Sequence, residues 1–183
     1  IADLADFRAN GWDIDLAGHL RRGGHVLGIC GGYQMLGKMI SDPDGIEGPP
    51  STTPGLGHLD VVTVLSAHKR LALNEAYHPA SGAALQGYEI HMGKTTGPDC
   101  DRAWLHSNTA PEGAASADGK VLGSYLHGLF SADAFRQVYL QSLGAEPSNV
   151  NYSAGVEQVL DQLAAHLEAH LDLDAILDLA QPI

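Results

Sequence analysis

The chain predicts an α/β protein with an open, mostly parallel sheet flanked by helices, and three observations carry that expectation. The apolar run His25 to Ile29 does not alternate with polar residues, as befits a strand covered on both faces. It breaks at Gly28-Ile29-Cys30-Gly31-Gly32 and leads at once into a helical pattern, Tyr33 to Ile40, with Met35, Leu36, Met39 and Ile40 on one side. The 183 residues include 22 glycines, a supply suited to many tight turns between strands and helices. On this reading the strand His25–Ile29 is central in the sheet.

The rest follows in order. Ile1 to Asn10 is helical in pattern, with Leu4 and Phe7 on one face and Gly11 at its end. Asp13 to Arg22 is a second short helix, stopped by Gly23-Gly24. After Ile40, the turn formers from Ser41 to Pro50 predict a loop. Leu59 to Leu65 alternates and is a strand, 66–86 reads as an edge excursion or loop, and Gln86 to Gly93 is a strand bounded by glycines. Ala103 to His106 is a candidate strand, Ala110 to Gly119 a turn-rich connection, and Val121 to Leu126 a further strand running into His127. Ser131 is placed to cap a helix ending at Leu143, with Phe135, Val138, Tyr139 and Leu143 inward. Gly144 to Asn151 is a linker. Ser153 to Ala180 is a long amphipathic helical region through Val156, Val159, Leu160, Leu163, Leu167 and Leu171, with a break near Leu173-Asp174.

Length and charge bound the function. The chain is long enough for one domain with a sizeable core. A formal net charge of −12 leaves no basic patch for nucleic acid or for an anionic membrane surface. No apolar run reaches the length of a membrane span, and two cysteines make no disulfide framework, so the cytoplasm is the expected location. Of the ten histidines, only His166 and His170 share a helix face at i, i+4; without a third ligand they predict a solvated face, not a metal site.

The chemistry concentrates at Cys30. Strand, cramped turn and helix, with glycines two before and two after one reactive residue, form a nucleophile elbow with Cys in place of Ser. A Cβ at Gly28 or Gly32 is expected to strike neighbouring backbone. The turn should force Cys30 to positive φ and set its sulfur at a helix N-terminus, where the dipole favours thiolate. Free N–H groups there, Gly31's included, can receive an oxyanion. Such a nucleophile needs a base. His127, at the C-terminal end of a strand and before glycine, is favoured over His91, which also lies on a strand beside glycine.

Three stretches taken together resemble the cobyric acid synthase family in its class I-like glutamine amidotransferase domain. They are Gly28-Ile29-Cys30-Gly31-Gly32-Tyr33-Gln34-Met35-Leu36-Gly37, Gly87-Tyr88-Glu89-Ile90-His91-Met92-Gly93, and Gly123-Ser124-Tyr125-Leu126-His127-Gly128-Leu129-Phe130. Ile1-Ala2-Asp3-Leu4 and the segment Asp42 to Gly48 fit the same order. The resemblance implies a flavodoxin-like fold over residues 1–183, with Cys30 as nucleophile and His127 as its base. It implies Gly31 at the oxyanion, Gln34 on bound glutamine, and Glu89 as the candidate to orient His127. Many class I amidotransferases carry Glu two residues after that His; here the position is Leu129. It further implies glutamine as nitrogen donor and a corrinoid, adenosylcobyrinic acid a,c-diamide, as acceptor. ATP and magnesium are expected at a separate N-terminal synthetase domain, with no cofactor in this chain. The family's Pro-Gly-Ser-Lys segment, first strands and ATP-binding domain are not represented, so an N-terminally truncated domain is expected, with an oxyanion donor missing. Within the enzyme class the alternatives are the amidotransferase domains of a cobyrinic acid a,c-diamide synthase and of a cell-wall ligase complex. In another class stands a non-catalytic binding partner of a synthetase.

Overall fold

The computed structural model describes residues 1–146, 148 and 150–180. The chain divides into two compact units, Ile1–Glu146 and Pro147–Ile183.

The first unit opens with helices α1 (Ala2–Ala9) and α2 (Trp12–Arg21), then strand β1 (Val26–Ile29) and the short helix α3 (Gly31–Leu36). Strands β2 (Met39–Asp42) and β3 (Ser51–Pro54) follow, then the long pair β4 (Val62–His78) and β5 (Ala83–Thr96). Short strands β6 (Leu105–Ser107), β7 (Pro111–Glu112) and β8 (Ala114–Ala115) lead to β9 (Val121–Ser124), β10 (Leu126–His127) and helix α4 (Asp133–Ser142). The second unit holds helix α5 (Tyr152–His170) and helix α6 (Leu173–Leu179).

The strands form two sheets: one in the order β1-β9-β8, the other in the order β10-β5-β4-β2-β3 with β6 and β7 attached. The α/β class stands, but pairing is mixed. Only β1 with β9 and β2 with β4 run parallel. The expected central place of β1 is corrected: among the described residues it pairs only with β9, at the end of its sheet. Its lack of alternation has another cause. Val26 packs on the cluster of Tyr33, Leu59, Val61 and Val121, while Leu27 and Ile29 pack on the cluster of Leu105, Leu126, Leu129 and Phe135. Both faces are covered, and coverage of faces, not rank within the sheet, sets the pattern.

The helix expected from Tyr33 to Ile40 ends at Leu36. Gly37 turns extended, the Lys38 N–H donates to the Val61 carbonyl, and Met39 and Ile40 pass into β2. Ile40 is buried as expected; Met39 is exposed. The expected loop over 41–50 therefore starts two residues late. The largest correction falls on 66–86, which is no loop. It is the far half of a long hairpin, paired in unbroken register from Lys69 with Met92 to His78 with Ala83. Ser131 is not the cap of α4: its hydroxyl donates to the Gly128 carbonyl within a 3-10 turn, and Ala132 precedes the helix. Phe135 is fully buried there and Tyr139 packs against it, but Leu143 is exposed. Of the expected linker, Pro147 and Asn149 lie outside the described residues. The break in the last helical region falls at Leu171, where Asp172 caps α6 by accepting from the Ala175 N–H.

One further feature places the site. The chain leaves the first sheet at Ser124 and joins the second at Leu126, turning a corner at Tyr125. Backbone groups freed at a corner must find partners. The Tyr125 N–H donates to Glu112 at 2.8 Å, and the Leu126 N–H donates to the Ser124 hydroxyl at 2.9 Å. The Ser124 hydroxyl in turn donates to Glu112 at 2.8 Å.

Candidate active site

Cys30 stands between β1 and α3 with φ 54° and ψ −115°, the one non-glycine residue at positive φ among those described. The elbow therefore has the strained backbone the sequence predicts. Gly28 has the role expected of it: a Cβ there would lie 2.7 Å from the backbone carbon and oxygen of Gly32 and 2.5 Å from Leu36. Gly32 does not, because a Cβ at that position meets nothing within 4 Å. The turn is cramped on one side only. The Cys30 N–H continues the β1–β9 ladder to the Ser124 carbonyl at 2.9 Å, and its sulfur lies 3.3 Å from the Ile90 carbonyl oxygen. Gly31, Gly32, Gln34 and Met35 line one side of a cleft of about 620 Å³, with Asp3 and Glu47 also on its walls.

Strand β5 forms the wall facing the elbow. The Gln34 side-chain amide donates to the Met92 carbonyl at 3.2 Å and to the Tyr125 hydroxyl at 3.1 Å. That hydroxyl lies 2.5 Å from Thr95 Oγ1, which lies 2.6 Å from Thr63 Oγ1, giving a continuous polar chain across β4 and β5. Burial raises the Tyr125 phenol above its ordinary pKa, although the hydrogen bonds from Thr95, Gln34 and Thr63 work the other way.

The two histidines have different surroundings. His91 places Nε2 3.0 Å from Glu89 Oε1 and stacks on the Tyr125 ring at 3.8 Å and 16°. Glu89 also accepts from Arg70 at 2.7 Å and Asn74 at 2.8 Å. Burial opposes its charge, but the bonds from Arg70, His91 and Asn74 outweigh that and hold the carboxyl below its ordinary range. Glu89 thus orients His91; no bond joins it to His127 among the described residues. His127 pairs with Tyr88 across β10 and β5 and stacks on its ring at 4.9 Å and 8°. That close pairing relies on Gly87, where a Cβ would come within 2.2 Å of the His127 carbonyl oxygen. His91 Nδ1 and His127 Nε2 are both buried and without a hydrogen-bond partner. No hydrogen bond links the Cys30 sulfur to either ring among the described residues.

Two residues outside the sequence argument belong to this neighbourhood. Tyr125 lies inside a quoted stretch, but nothing local marks it as a corner shared by both sheets. Glu112 sits in the segment read as turn-rich, and its burial comes from strands distant in sequence. Burial pushes its carboxyl up to about 7, against the lowering bonds from the Tyr125 N–H and the Ser124 hydroxyl. His166 and His170, on α5, stack on each other at 4.2 Å. Among the described residues no group of three or more His, Cys, Asp or Glu is arranged to hold a metal ion.

A strained cysteine between strand and helix, with a cleft at its side, defines the glutamine amidotransferase class of fold. A solved structure described as a glutamine amidotransferase superposes with a TM-score of 0.53 over 75% of this chain and 70% of that one, at 20% sequence identity. The chain belongs to the CobB/CobQ-like glutamine amidotransferase domain family, whose pattern matches residues 1–135. It is 57% identical over its whole length to 38% of a cobyric acid synthase of Ruegeria sp.. It is 60% identical, over 98% of its length, to 37% of a cobyric acid synthase of Rhodobacter capsulatus. The chain thus spans less than two fifths of the length of these curated relatives.

Proposed function

We propose that this chain is the glutaminase part of a cobyric acid synthase, releasing ammonia for the amidation of peripheral carboxylates of adenosylcobyrinic acid a,c-diamide. The observation that carries the reading is Cys30 itself: a cysteine held at φ 54° beside a cleft lined by Gly31, Gly32 and Gln34. In the proposed reaction the Cys30 thiolate attacks the side-chain amide carbon of glutamine, and the Gly31 N–H receives the oxyanion. His127 carries the thiol proton to the departing nitrogen, so ammonia leaves and a glutamyl thioester remains. Water, activated by the same histidine, then releases glutamate and restores the thiol. The buried, unpartnered His127 Nε2 is consistent with this role, and bonds of this kind tighten when substrate binds. Gln34 acts from the cleft wall on the bound glutamine. ATP and magnesium are assigned to a separate synthetase part, since the residues here offer no fitting metal cluster. The chemistry suits the cytoplasm, and no described helix is long and apolar enough to cross a membrane.

A second reading makes His91 the base. It is favoured by the Glu89–His91 bond, which leaves the buried Nδ1 as the free ring atom. Two variants of the full-length protein separate these readings, with product formation measured from glutamine and then from free ammonia. Cys30→Ser should reduce glutamine-dependent synthesis by several orders of magnitude and leave ammonia-dependent synthesis close to the parent rate. His127→Asn should reproduce that pattern and add little to Cys30→Ser, because the two act as one unit. If His91→Asn does so and His127→Asn does not, the base is His91. Equal loss with both nitrogen sources would overturn the glutaminase role of Cys30.

A further inference from the structure

The β4–β5 hairpin carries an exposed apolar face that the proposed reaction does not use. Leu71 is 70% and Leu73 71% exposed, and Tyr88, opposite Leu73, is 46% exposed. The face adjoins an open edge. β2 pairs with β4 only as far as Val64, and β6 pairs with it only at Ala76 and Tyr77. Between these, from Lys69 to Asn74, no strand among the described residues takes the outer edge.

The direction of that edge is fixed by its neighbour. The Asn108 N–H donates to the Glu75 carbonyl, in register with the β4–β6 pairs, so Glu75 presents its backbone groups outward. Backbone groups alternate along a strand, and the register with β5 is unbroken here, so Leu71 and Leu73 present theirs outward too. An exposed edge beside exposed leucines is a template for another strand.

We infer that this edge pairs antiparallel with the same edge of a second copy of this chain, with Ala72 on the two-fold axis. The sequence of the edge is what selects a second copy. Turned upon itself about Ala72, the segment sets Leu71 opposite the second copy's Leu73 and Lys69 opposite its Glu75, each twice by symmetry. Leu71 and Leu73 exchange their outward N–H and C=O groups with those facing residues, while Ala72 meets Ala72 in a non-hydrogen-bonded pair. Lys69 has no ion pair among the described residues, so its ammonium is free to meet Glu75. Arg70 and Glu89 are paired on the opposite face of the hairpin and take no part. The stretch from Leu65 to His68, which leaves the β5 ladder, can bend clear of β6 of the second copy.

The test uses the full-length protein in analytical ultracentrifugation over a wide concentration range. The parent should show a concentration-dependent dimer. Lys69→Glu and Glu75→Lys, each alone, should raise the dimer dissociation constant about tenfold, because each sets like charges opposite one another twice. The two changes combined should restore it to within about threefold, since the reversed charges again oppose. Ala72→Cys should give a reducible dimer on mild oxidation, with mass spectrometry of the digest joining position 72 to position 72. Thermal melts of every variant confirm folding. A monomer at all concentrations would overturn the pairing. Failure of the double reversal to restore the dimer would overturn this register. A cross-link from position 72 to a different position would mean that another segment of the polypeptide holds the edge.

Discussion

Glu112 is a buried carboxylate whose burial was invisible in the sequence, and it makes stability depend on pH in a calculable direction. Its carboxyl titrates near 7 in the folded chain against an ordinary 4.5. Between those values the unfolded chain has lost the proton and the folded chain keeps it. The unfolded state therefore binds fewer protons, and unfolding free energy falls as pH rises. At about 1.4 kcal/mol per pH unit the interval comes to about 3 kcal/mol. Stability from this group is full below pH 4.5 and is lost progressively up to pH 7, above which the penalty of an ionised buried carboxylate is constant. Glu112→Gln removes the titration. Its amide oxygen still accepts from the Tyr125 N–H, and its NH₂ donates to the Ser124 hydroxyl oxygen, at the cost of that hydroxyl's own acceptor. Urea unfolding of the parent and the variant at pH 5 and pH 8 isolates the effect, since every other titrating group is common to both. The parent should lose about 3 kcal/mol more than the variant between the two pH values. An equal pH dependence in both proteins would refute the argument, and a parent that gains on the variant with rising pH would reverse its sign.

The asymmetry of the elbow predicts that its two outer glycines behave differently. Gly28→Ala should cost about 1–3 kcal/mol in denaturant unfolding, because its Cβ meets Gly32 backbone and the Leu36 side chain. Gly32→Ala, in open space within a helix, should be neutral or stabilising by up to about 1 kcal/mol. Gln34→Glu should lose about 1–3 kcal/mol by turning an acceptor toward the Met92 carbonyl, and should raise the KM for glutamine in a steady-state assay.

What the sequence could determine was local. Gly28, Cys30 and the run into α3 specify strand, turn and helix through steric rules that operate within a few residues. The positive φ of Cys30 follows from those rules and was legible in advance. The three stretches that carry the family resemblance were equally legible, because they are contiguous. The hairpin over 66–86 was not. Its outer face carries Leu71, Leu73 and Tyr77 while its inner face carries Ala72, Asn74 and Ala76, which inverts the usual rule of apolar side inward. The place of β1 was missed for a related reason: a non-alternating run reports two covered faces and says nothing of which strands lie beside it.

Only the tertiary structure decided the partners of the site. Tyr125 turns the chain from one sheet to the other and so carries His127 to β5, 97 residues on from Cys30 in sequence. Glu89 goes to His91, with Arg70 and Asn74 supplied by the facing strand. Glu112 acquires its raised pKa from the corner it satisfies. Each is a consequence of pairing between distant segments, where the free energy of a hydrogen bond or of burial depends on what arrives from elsewhere in the chain. Local sequence sets the geometry of the nucleophile; long-range packing sets the electrostatics around it.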